Sequence, residues 1–180
     1  MRLGIFDHFG WAVAVTADAD HDVIDRRRIE LVEPDVTPAP IHYDRGQRDV
    51  ATMTALVASV RASIARATTA ALDDLVADLP GPVESISMRT WPDDFPADIE
   101  TQMRTPYEAR ADAILYRQVL AELARARGWD VHRFDAKTVV DEATQVLGDR
   151  ADDVLVEPKT RLGAPWTKEH RIALAATVIA

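Results

Sequence analysis

The chain has 180 residues, a formal net charge of −9 at pH 7, 47% hydrophobic residues and no cysteine. That length suits one domain spanning 1–180, with enough chain to bury a core without covalent staples. The missing thiols exclude disulfides, thiolate zinc sites and cysteine nucleophiles, and the acidic balance opposes binding to a phosphate backbone, which needs a basic footprint.

The opening MRLGIFDHFGW carries an acid inside its apolar part and no small-residue cleavage site, unlike a signal peptide. Uncharged apolar runs reach only about ten residues, against roughly twenty for a bilayer span. The expectation is a cytoplasmic, soluble protein with no membrane segment.

Leu3 to Val15, LGIFDHFGWAVAV, reads as the opening strand, interrupted by Asp7 and His8, with Gly10 suited to a bulge. The polar cluster Ala17 to Asp22 turns the chain into a second strand, Val23 to Glu33, to give a hairpin. Pro34, Pro38 and Pro40 then mark a loop or short edge strand ending near Tyr43. From Asp44 to Leu79, Val50, Met53, Val57, Val60 and Ile64 recur at spacings of three and four, which predicts a long amphipathic helix with a bend near Thr68 and Thr69, stopped by Pro80-Gly81-Pro82. A short strand from Val83 to Met88 follows, then a helix from Pro106 to Arg127 ended by Gly128, and a strand from Trp129 to Phe134. Asp135 fits the cap of a helix from Lys137 to Leu147. An irregular connection, Asp149 to Trp166, leads to a last helix capped by Thr167. Helical crossovers imply parallel strands and the hairpin adds antiparallel ones, so the fold class is α/β with a mixed sheet flanked by helices.

LGIFDHFGWAVAV, ADAILYRQVLAELARARGWDVHRFDAKTVVDEA and the closing EHRIALAATVIA together resemble the ribonuclease H-like superfamily, in particular Holliday junction resolvases of the RuvC kind. The resemblance implies carboxylates from the first strand, the fourth strand and the closing helix that hold two divalent metals, Mg²⁺ or Mn²⁺, for attack of water on a phosphodiester. Asp7 matches the first carboxylate; at the fourth strand this chain has Met88 or Arg89; Glu169 and His170 lie near the last. The candidate site is therefore Asp7, Glu169 and His170, with Asp7 and Glu169 as metal ligands and one expected ligand missing.

Each residue also has a structural reading. Asp7 suits hard cations, but Arg89 is equally able to give it a buried counter-charge. Glu169 suits a helix N-terminal dipole, and His170, which titrates near neutrality, is incidental there. His8 alternates to the opposite face from Asp7. Two functions follow: a divergent or degenerate metal-dependent nuclease acting on phosphodiesters, or a non-catalytic protein-interaction module that keeps the fold and uses a sheet edge or the long helix in a homodimer or with a protein partner. P-loop, Rossmann, nucleophile-elbow and HExxH signatures are absent from the sequence.

Overall fold

The computed structural model describes residues 1–44 and 46–180. In chain order these form β1 (Arg2–Asp7), β2 (Trp11–Ala17), β3 (Val23–Glu30), α1 (Pro40–Asp44), α2 (Val50–Asp78), β4 (Ser85–Arg89), α3 (Ile99–Gln102), α4 (Ala111–Ala126), β5 (Asp130–Phe134) and α5 (Val139–Leu147). A 3-10 turn at Gly148–Arg150 leads into α6 (Ala151–Leu155), α7 (Pro158–Leu162) and α8 (Lys168–Val178).

The strands lie in the order β3-β2-β1-β4-β5. β1 pairs antiparallel with β2, and β2 with β3; β1 pairs parallel with β4, and β4 with β5. This is the expected mixed α/β sheet, with helices on both faces.

The opening stretch is not one bulged strand. It folds back on itself, because the His8 N–H donates to the Trp11 carbonyl at 2.8 Å and Gly10 takes φ +87°, where a side chain would be strained. Asp7 is consequently the last residue of β1 and stands at the end of the sheet. Continuous hydrophobicity across the turn hid it in the sequence.

The period-two alternation of the strands decides what each helix touches. Leu3 and Ile5 of β1, Ala12 and Ala14 of β2 and Ile86 and Met88 of β4 pack with Val60, Ile64, Leu72 and Leu75 of α2 and Val119 and Leu120 of α4. On the other face Val13, Val15 and Phe134 pack with Val139 and Ala143 of α5 and Ile172 to Ala176 of α8. Gly4 belongs to this second face: a Cβ there would stand 1.9 Å from the Ala173 carbonyl oxygen, so only glycine lets α8 lie directly on β1.

Several helices differ from expectation: α5 starts at Val139 after Thr138 and not under an Asp135 cap, α3 adds a short helix, and the connection from Asp149 to Trp166 holds a 3-10 turn, α6 and α7. Residues Pro40–Asp44 form a short helix in place of a loop or edge strand, its first N–H groups accepted by the Asp112 carboxylate, Ile41 at 3.3 Å and His42 at 2.8 Å. α2 starts at Val50, where Asp49 caps it through Thr52, and runs unbroken past Thr68; position 45, inside the longer helix expected, lies outside the described residues. α4 starts at Ala111, later than Pro106. By length and composition alone α2 is apolar enough to cross a membrane, but its apolar stripe is packed on the sheet.

Candidate functional site

Alternation carries Asp7 to the α4 side of the sheet and His8 to the α8 side, and this divides the residues expected to work together. Asp7 is fully buried. Its Oδ1 accepts from Arg89 Nε at 2.9 Å and its Oδ2 from Arg89 Nη2 at 2.8 Å, a bidentate pair. Arg117 Nε, from α4, lies 3.2 Å from Oδ1 and 3.0 Å from Oδ2. Arg89 Nη2 also donates to the Asp7 backbone carbonyl.

The arginines are held as firmly as the acid. β4 runs beside β1 in the register Gly4↔Ser87, which brings Arg89 next to Phe6. Its guanidinium carbon sits 4.5 Å from the centre of the Phe6 ring, and the group curls over the end of β1 to reach Asp7. Arg117 Nη1 donates to the Thr90 carbonyl at 3.0 Å, tying α4 to the residue that follows β4. Burial pushes the Arg117 guanidinium down from its ordinary value; Asp7 opposes that shift and the neighbouring Arg89 adds to it.

Glu169 meets His8 instead of Asp7. Its Oε1 is 3.1 Å from His8 Nε2, close enough for an ion pair when the imidazole is protonated, though not aligned as a hydrogen bond. The His8 ring stacks on Trp11 with centroids 4.0 Å apart. His170 is part of the start of α8: its Nδ1 accepts from the Thr167 N–H at 3.2 Å and faces Thr167 Oγ1 at 2.9 Å, while the Thr167 side chain accepts from the His170 backbone, a capping box with histidine as the third helical residue. Burial, with Arg26 nearby, lowers the His170 pKa, and Glu169 opposes the shift.

Asp7, His8, Phe9, Arg89, Ala109, Arg110, Ala113 and Arg117 line a pocket of about 340 Å³ where β1 and β4 end. Strand C-terminal ends in open α/β sheets are where ligands bind. The divalent metals implied by the resemblance do not fit here: both Asp7 oxygens are committed to guanidiniums, and among the described residues no cluster of three histidines or acids could hold a cation. Of the two β4 residues at the place where the resemblance implies a carboxylate, Met88 is buried core and Arg89 reaches Asp7.

Arg117 was missed from the sequence. Its signal was present: it falls between Ile114 and Leu120 at intervals of three, on the buried stripe of α4, where an arginine requires a carboxylate. The basic run Arg26 to Arg28 is spent locally. Arg26 donates to the carbonyls of Leu162 and Gly163, Arg27 to Asp25 and Asp78, and Arg28 to Glu30.

No protein-family model matches this chain, and no curated protein does. Among solved structures it is similar to RuvC of T. thermophilus in complex with a Holliday junction substrate, at 11% identity and a TM-score of 0.47, covering 98% of this chain and 90% of that one.

Proposed function

We propose that this chain is a non-catalytic binding module that keeps the ribonuclease H-like fold without its metal chemistry. The observation that carries this reading is the double guanidinium clamp on Asp7. A divalent cation approaching Asp7 would have to displace charge-assisted hydrogen bonds from two arginines and then remain beside both positive charges. Glu169, the other ligand suggested by the resemblance, is engaged on the opposite side of β1 by His8.

The surface agrees with this. A net charge of −9 repels a polyanion, and two residues of the basic run on β3 are paired with acids, Arg27 with Asp25 and Asp78 and Arg28 with Glu30. The charged side chains of β3 also guard that sheet edge against strand addition.

Thermal unfolding with Mg²⁺ and with Mn²⁺, alongside Asp7→Asn, tests the reading. A ligand at about one hundred times its Kd stabilises the native state by about 2.7 kcal/mol. The expected result is no metal-dependent shift in the parent and a loss of stability in Asp7→Asn. Metal-dependent stabilisation that Asp7→Asn abolishes, or metal-dependent cleavage of a phosphodiester, would overturn it in favour of a nuclease.

A further inference from the structure

The pocket at the ends of β1 and β4 carries an unbalanced charge. Arg89, Arg110 and Arg117 line it against a single carboxylate, Asp7. Two of these guanidiniums are well shielded from water, with side-chain exposures of 26% for Arg89 and 12% for Arg117, and they share one acid. Buried charges are normally matched one for one. Neighbouring acids are engaged elsewhere: Glu169 faces His8 on the α8 side, the Asp112 carboxylate accepts from the backbone of α1, and Glu108 accepts from the Thr105 hydroxyl at 3.0 Å. Arg110 stands exposed at the mouth of the pocket, and its guanidinium has no hydrogen-bond or ion-pair partner among the described residues.

We propose that this pocket binds a small phosphate monoester, its phosphoryl group received by Arg89, Arg110 and Arg117. This deepens the non-catalytic reading above and rests on it, since a cleft holding divalent metals could not present this charge. Three guanidiniums against one carboxylate leave two positive charges, and a phosphate monoester carries about −1.5 to −2 at pH 7. A diester or a simple carboxylate supplies only half of that. Arg89 Nη1 and Arg117 Nη2 are left to donate to phosphoryl oxygens while their other nitrogens hold Asp7 and Thr90, and Arg110 offers its whole fork. The volume of about 340 Å³ stands at the lower end of the range for small-molecule pockets, about 300 to 1,000 Å³. Phe9, Ala109 and Ala113 give the organic part of the ester an apolar wall with room beside it.

The test is calorimetric titration of the whole chain with glycerol 3-phosphate, inorganic phosphate, dimethyl phosphate and a single-stranded oligonucleotide, repeated with Arg110→Ala and Arg110→Glu. Arg110 is exposed and unpaired, so both variants should fold, which their unfolding curves establish. The monoester should bind more tightly than dimethyl phosphate, weaken with added salt, and lose about tenfold in affinity in Arg110→Ala and more in Arg110→Glu. Absence of heat with every phosphate at millimolar concentration overturns the proposal, as does monoester binding that Arg110→Glu leaves unchanged. Oligonucleotide binding without monoester binding also overturns it, in favour of a nucleic-acid site. None of these outcomes bears on the metal and cleavage measurements, so a failed phosphate site and a failed non-catalytic reading remain distinguishable.

Discussion

Arg89 grips both carboxylate oxygens of Asp7, through Nε at 2.9 Å and Nη2 at 2.8 Å, from the strand that runs parallel to the one Asp7 ends. The pair fastens β4 to β1 at the end of the sheet where the ladder stops. Removing the acid leaves Arg89 and Arg117 facing each other with nothing between them. Asp7→Asn is therefore expected to cost about 3 kcal/mol in urea unfolding, in the range for breaking a buried pair from one side. A neutral effect would mean that the carboxylate is not the counter-charge this geometry makes it.

Asp7 has two partners, and this makes the clamp asymmetric. In Arg89→Met, Arg117 still neutralises Asp7, the repulsion between the two guanidiniums is gone, and the Met side chain still covers Phe6. The expected loss is about 1 kcal/mol, well below that of Asp7→Asn. Combined with Asp7→Asn, Arg89→Met should lessen the damage, because one of the two stranded charges has been removed. A double-mutant cycle measures that coupling, and strict additivity would show that the two residues do not interact.

Much of the fold was legible because it rests on periodicity. The spacing of Val50, Met53, Val57, Val60 and Ile64 gave α2, and the apolar runs bounded by Gly and Pro gave β4 and β5. Asp7 stands out as an acid among apolar neighbours, a pattern that leaves a metal ion and Arg89 equally open as its partner. The turn at His8 to Gly10 was obscured because the residues on either side are equally apolar. The separation of Asp7 from Glu169 depends on strand parity relative to two different helices, a relation between distant segments that no local pattern records. Among the charges of α4, only its position on the buried stripe distinguishes Arg117.

Gly4 marks where the sheet and its closing helix touch. The Ala173 carbonyl oxygen would be 1.9 Å from a Cβ at Gly4, and that neighbour is backbone, which cannot rotate aside. Gly4→Ala should force α8 off β1 and cost about 3 kcal/mol or more. Thermal unfolding measures the loss. A stable Gly4→Ala protein would mean that α8 can shift at little cost, and with it Glu169 and His170.

His170 gives the fold a pH dependence of predictable sign. Its Nδ1 must keep a lone pair to accept from the Thr167 N–H, and burial lowers its pKa from the ordinary value of 6.5. Below pH 6.5 the unfolded chain therefore binds a proton that the folded chain resists. The contribution of His170 is fully present above that pH and is lost as pH falls through the interval down to the lowered native value. Glu169 and Arg26 act on the imidazole in opposite directions, and burial is the larger effect. His170→Gln keeps a side-chain acceptor suited to the third position of a capping box but does not titrate. The parent should lose more stability than His170→Gln between pH 7 and pH 5.5 in matched urea titrations. Parallel losses in the two proteins would show that the imidazole is not held neutral at the start of α8.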